Sequence, residues 1–139
     1  MTNREQRAAF SRGIRQFNSR EFWHSHESWE AIWLTAPEPD KTFLQGIIQI
    51  AAAFYHHQKK NHAGMRSLMR RGLAKVEEFP ADYRGLRLEK LRRAVREWLA
   101  KDYAGEALPR RYPQLYRGKR SGHVPKLRDS LGRTRPEGK

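Results

Sequence analysis

His26, Glu27, Glu30, Gln45, Gln49 and His56 are the residues of this 139-residue chain whose types and spacing could do chemistry. On a helix advancing about 100° per residue, His26 and Glu30 stand one turn apart, between Phe22, Trp29 and Trp33 on one side and Trp23 and Leu34 on the other. Glu27 falls at the margin of that stripe. His24 projects to the far side with Ser28 and Ala31, toward solvent. On a second helix Gln45, Gln49 and His56 lie within about 40° of one another, with Ala52 in the gap. Apolar residues surround them: Phe43, Ile47, Ile50 and Phe54 on one flank, Leu44, Ile48, Ala51 and Tyr55 on the other. A buried polar group without a partner costs roughly 1 to 3 kcal/mol and a charge more, so the two stripes are expected to face each other.

Two chemistries fit such a cluster. The commoner is a structural hydrogen-bond network that sets the register of two helices. The other is a small-ligand or divalent-metal pocket in which His26, Glu30 and His56 supply ligands suited to zinc, manganese or iron. Metal-assisted hydrolysis would then use a metal-bound water with Glu27 or Glu30 as base. His26-Glu27-Ser28-Trp29-Glu30 also has the start of the zinc-protease pattern H-E-x-x-H, with glutamate in place of the second histidine. That signal is weak, because no third ligand is specified. The chain has no cysteine, so thiolate metal sites, disulfides and a cysteine nucleophile are excluded. Neither a phosphate-binding glycine loop nor a G-x-S-x-G elbow is present.

The elements that must position these residues read as helices throughout. Phe10, Ile14 and Phe17 recur on one face of a first helix over about residues 3 to 17, with Thr2 or Asn3 as cap and Glu5 and Gln6 placed behind. A second helix runs from about residue 20 to Leu34, with Asn18 or Ser19 as cap. Pro37-Glu38-Pro39 breaks it, and Asp40 is expected to cap a central helix running to about Lys60. Asn61 and Gly64 mark a turn. Met65, Leu68, Met69, Gly72, Leu73, Val76 and Phe79 carry a fourth helix to Pro80, and Leu88, Leu91, Val95, Trp98 and Leu99 a fifth. Sustained period-2 alternation is absent, so no strand is expected. The fold class is all-α, a compact bundle of about five helices.

The length suits one domain, expected over residues 1–105, followed by a basic tail over 106–139 that contains Pro109, Pro113, Pro125 and Pro136. Leu108, Tyr112, Leu115 and Tyr116 are able to pack back onto the bundle, with disorder expected mainly beyond Gly118. With neither a signal-peptide pattern nor an apolar run long enough to span a membrane, a soluble cytoplasmic chain is the expectation. Nothing in the sequence specifies an oligomeric state.

The formal net charge is +14, half of it after residue 102. Arg66, Arg70 and Arg71 on the fourth helix, and Arg110, Arg111, Arg117, Lys119 and Arg120 in the tail, are candidate polyanion-binding residues. Arg87, Lys90, Arg92, Arg93 and Arg96 add charge to the outside of the fifth helix. Tyr112, Tyr116 and His123, interleaved with such cations, could stack on bases, which makes a nucleic-acid-binding module an alternative function. The bland alternative is a solvated charged face.

The run from Phe17 to Trp33, followed by Phe43-Leu44-Gln45-Gly46-Ile47-Ile48-Gln49, Ala51 to Ala53, His56 and Asn61, resembles one known family. These are the small prokaryotic proteins of domain-of-unknown-function family 309, whose pattern combines an F-N-x-G start, an H-E-x-x-E-x-x-W helix and an F-L-Q-G-x-I-Q helix. The resemblance implies an all-helical fold. It also groups His26, Glu27, Glu30 and Trp33 with Gln45, Gln49 and His56, and it brings no activity. The chain departs from the pattern at Arg20, where glycine is frequent, at His24, where an acidic residue is common, and at Trp29, where leucine is usual.

Overall fold

Thr2 begins the first helix with the reciprocal cap its sequence predicts: its hydroxyl accepts from the Glu5 N–H (3.0 Å), and its own N–H donates to the Glu5 carboxylate (2.7 Å). In the computed structural model, which describes residues 1–118, five helices follow one another: α1 (Asn3–Asn18), α2 (Phe22–Trp33), α3 (Asp40–Gln58), α4 (His62–Val76) and α5 (Leu88–Ala104). The all-α expectation holds, with one addition. A two-residue hairpin, β1 (Asp82–Tyr83) and β2 (Leu86–Arg87), interrupts the α4–α5 connection where no strand was expected. Its turn places Arg84 and Gly85 both at positive φ, 52° and 77°, the geometry that matches strand twist in two-residue hairpins. Two residues per strand are too few for alternation to be visible in sequence.

α3 is the central helix, as its apolar surround predicts: Phe43, Leu44, Ile47, Ile50, Ala51, Ala53 and Phe54 are all buried. Its start differs from expectation. Asp40 is already helical, and its carboxylate accepts from the Tyr83 hydroxyl (2.6 Å) and the Arg84 guanidinium (2.8 Å); Glu38 takes the capping role, accepting from the Thr42 N–H (3.0 Å). Likewise Asn18 does not cap α2. Its amide holds the backbone of Leu115 through two hydrogen bonds, at 2.7 and 3.0 Å.

α3 and α4 pack tightly where Gly46 and Gly72 face each other. A Cβ on Gly72 would stand 2.7 Å from the Gly46 carbonyl and 2.8 Å from Ile50. Alanine normally favours a helix interior over glycine by roughly 1 kcal/mol. Gly72→Ala is nevertheless expected to destabilise the chain by about 1 to 3 kcal/mol in urea titration, because the contact becomes overpacked. A gain in stability would show that the two helices separate freely.

The segment after α5 returns to the bundle. Leu108 and Tyr112 pack against the core and Leu115 is buried within it. Tyr116 accepts from the Arg87 N–H (2.9 Å), and Arg117 bridges to Leu86, so this strap pairs with the hairpin edge. Of the predicted packing residues only Tyr116 stays largely exposed. The disorder expected beyond Gly118, together with Lys119, Arg120 and His123, lies outside the described residues.

Candidate functional site

α2 lies between α1 and α3, and that position decides where its polar stripe goes. Its deep face is Phe22, Ser25, Ser28, Trp29 and Ile32. The Ser25 hydroxyl donates to the Gly13 carbonyl (3.0 Å), the Trp29 indole N–H donates to the Phe10 carbonyl (3.1 Å), and the Ser28 hydroxyl donates to Gln16 (2.7 Å). Ser28 is therefore buried, contrary to its expected place beside His24. Trp23 and Leu34, expected to flank the stripe inside the protein, are exposed. His24 is exposed as predicted and lies 3.6 Å from the carboxylate of Glu27, itself exposed.

His26 is mostly buried, its ring stacked on Trp23 with centroids 4.8 Å apart and its Nε2 4.0 Å from the half-exposed Glu30 carboxylate. On α3, Gln49 turns to α4, accepting from Lys75 Nζ (3.0 Å), and His56 Nδ1 lies 3.1 Å from the Asn61 amide. Gln45 is half-buried. Among the described residues no hydrogen bond joins His26 or Glu30 to Gln45, Gln49 or His56, so the stripes are neighbours without the cross-helix pairing that periodicity suggested. The reason is rotational: α1 shares α2 with α3, which moves Glu30 to the rim. Nor does any trio of His, Asp and Glu side chains among the described residues form a group able to hold a metal, His26, Glu30 and His56 included.

Two buried nitrogens near this edge, His26 Nδ1 and Trp33 Nε1, have no hydrogen-bond partner among the described residues. Lys41 Nζ sits 4.2 Å above the Trp33 ring while donating to the Trp33 carbonyl (2.7 Å). Trp33→Phe removes the orphan N–H and keeps an aromatic face beneath the ammonium. It is expected to leave the melting temperature unchanged or raised, since deleting an unpaired buried donor is near neutral. A loss above about 2 kcal/mol would instead reveal an acceptor on Nε1.

The second concentration of functional side chains was only partly legible. A cleft of about 710 Å³ opens where the end of α1 meets α5 and the strap. Arg20, Lys90, Arg93, Arg110 and Arg111 line it, with Phe17, Tyr112 and Tyr116 between them, and no carboxylate among the described residues. Arg110 and Arg111 were expected to bind polyanions. Arg20 was missed in that role, although its position just past a helix end is one where glycine normally stands.

Cations elsewhere are committed differently. Arg66 is held by Asp102 through a hydrogen bond that raises its pKa further. Arg71 donates to the Ser67 hydroxyl and Arg117 to the Ser11 hydroxyl, each at 2.9 Å, and Arg70 is exposed on α4. Arg92, expected on the outside of α5, is buried. Arg96 pairs with Glu77 (2.9 Å) and Glu89 (3.4 Å). Arg93, one of the cleft cations, lies 4.0 Å from the Glu89 carboxylate one turn back on its own helix.

Among the described residues no helix is long and apolar enough to cross a membrane. A 52-residue segment, 37% of this chain, is 38% identical to "Uncharacterized protein YpuF" of Bacillus subtilis (strain 168), and the match spans 30% of that protein's length. Lys90, Arg93, Arg110 and Arg111 lie beyond the part of the chain that a family model matches, whereas Arg20 and the α2–α3 stripes lie inside it. That part, residues 10–68, carries the second half of α1, the whole of α2 and α3 and the first turns of α4, and it matches the family described as a domain of unknown function (DUF309).

Proposed function

We propose that this protein is a nucleic-acid-binding module that takes phosphates into the cleft between the end of α1, α5 and the strap. The observation that carries the reading is the convergence of five cations from three separated segments on one concavity with no carboxylate on its wall among the described residues. Like charges held together repel, and an anion that enters relieves the repulsion and releases counterions from the nucleic acid. Elsewhere on the surface, Asp102, Asp40, Glu77 and Glu89 already neutralise Arg66, Arg84 and Arg96. A net charge of +14 adds attraction over roughly 8 Å at physiological salt. In this reading residues 1–105 form a helical domain in a cytoplasmic setting, and 106–139 form a basic segment whose first part docks on it.

Fluorescence anisotropy with a labelled oligonucleotide tests the proposal. Micromolar binding is expected, with log affinity falling by about 0.7 to 0.9 per log unit of salt for each phosphate engaged, hence a slope near −4 for five. Arg110→Ala combined with Arg111→Ala is expected to weaken binding at least tenfold and to flatten the slope by about 1.5. Absent or salt-independent binding overturns the proposal.

A further inference from the structure

We infer that the nucleic acid taken up by this cleft is single-stranded, with one unpaired base stacked on Tyr116. The inference rests on the nucleic-acid reading above and adds the form of the ligand.

A duplex carries its phosphates on a convex surface and is read by an element that protrudes into a major groove about 12 Å wide. Here the cations stand in the walls of a recess of about 710 Å³, within the roughly 300 to 1,000 Å³ of small-ligand sites. Such a recess admits a few nucleotides of a flexible strand and does not enclose a duplex.

The cleft wall also carries an aromatic ring, Tyr116, that has no aromatic partner among the described residues. Tyr116 is 48% exposed at the cleft wall, and its backbone is anchored to the hairpin through the Arg87 N–H. Lys90 Nζ lies 4.6 Å over one face of the ring, so a phosphate-binding cation backs the tyrosine and a base would stack on its opposite face. Base faces in a duplex are buried against each other, and only an unpaired base offers its face to a side chain. Tyr112, the other tyrosine of the wall, is already occupied: it stacks on Trp98 with ring planes 12° apart, and its hydroxyl lies 2.7 Å from His57 Nδ1.

Arg20 has φ 64°, the left-handed region that glycine and asparagine enter readily and arginine does not. It closes α1 in the manner of a terminal glycine: its N–H donates to the Phe17 carbonyl, and the Glu21 N–H donates to the Gln16 carbonyl (2.8 Å). Its side chain lines the cleft together with Tyr112. Lys60 closes α3 in the same way at φ 60°, so the conformation marks a helix end, and it is the Arg20 side chain in the cleft that bears on a ligand.

The test compares anisotropy titrations of the full chain with a labelled 12-nucleotide single strand of mixed sequence, the same strand annealed to its complement, and inorganic polyphosphate. At matched salt the single strand is expected to bind at least tenfold more tightly than the duplex. Tyr116→Ala should lower single-strand affinity five- to a hundredfold with the salt slope unchanged, and Tyr116→Phe should stay within twofold of the parent. Arg20→Gly should raise the melting temperature while weakening single-strand binding and flattening its slope by about 0.7. Equal affinity for the two strand forms, or a Tyr116→Ala variant that binds like the parent, overturns the single-strand inference and leaves nucleic-acid binding standing. Binding of polyphosphate alone, with neither form of nucleic acid retained, overturns both.

Discussion

Tyr112→Ala is expected to lose about 3 kcal/mol of stability in urea titration and, in the same variant, at least tenfold of its affinity for nucleic acid. The Tyr112 ring sits in a cage of Phe22, Phe54, His57 and Trp98, with centroids 5.0 to 5.5 Å away. Emptying a buried aromatic site costs about 3 to 5 kcal/mol, and the half-buried position of Tyr112 puts it at the lower end. The loss extends to binding because Arg110 and Arg111 immediately precede this anchor, and the next fastening, the pair of Asn18–Leu115 hydrogen bonds, lies beyond it. Tyr112→Phe, which removes only the hydroxyl contact with His57, should lose about 1 kcal/mol and retain binding. If Tyr112→Ala unfolds the chain without weakening binding per folded molecule, the strap does not position the cleft.

The same cage predicts a direction with pH. Burial first, and the neighbouring His62 second, hold the His57 imidazole below its ordinary value of 6.5. A histidine depressed in the folded state binds fewer protons than in the unfolded chain. Its contribution is therefore fully present above pH 6.5 and is lost as pH falls through the lower folded value. Acidification should thus loosen the strap, read as earlier proteolysis after Ala107, and His57→Gln should remove that dependence.

Arg92→Met is expected to lose about 3 kcal/mol with no change in the cleft. Arg92 is only 6% exposed, and its guanidinium donates to the carbonyls of Val76 (2.9 Å) and Phe79 (2.7 Å) and to the Glu89 carboxylate (2.8 and 3.0 Å). The two carbonyls belong to the C-terminal end of α4 and the turn after it, where backbone acceptors lack helical partners and the helix dipole is negative. An arginine from α5 thus completes α4. Methionine keeps the apolar stem but leaves these acceptors buried and unpaired. Lysine does little better, because one ammonium cannot reproduce the planar fork. Arg93→Met, one residue on and 76% exposed at its side chain, should change stability by less than about 0.5 kcal/mol and weaken nucleic-acid binding instead. Equal stability losses for the two variants would overturn the distinction between them.

The contrast between Arg92 and Arg93 marks the boundary of what the sequence shows. Helices, their order and the central place of α3 follow from apolar spacing within single segments, and Thr2 with Glu5 specifies a cap locally, so these features were legible residue by residue. The rotation of α2 was not, because it depends on α1 and α3 competing for its faces. Trp29 and Ser25 are drawn to α1, Glu30 is left at the rim, and the polar stripes miss each other. The sequence by itself determined a basic, cysteine-free, all-helical chain with two polar stripes and cations spread over its whole length. Only the tertiary structure decided which cations are paired and which converge. Arg20, Lys90, Arg93, Arg110 and Arg111 stand up to 91 positions apart, and they meet because Tyr112 and Leu115 bury themselves against the bundle, a long-range packing event that no local periodicity records.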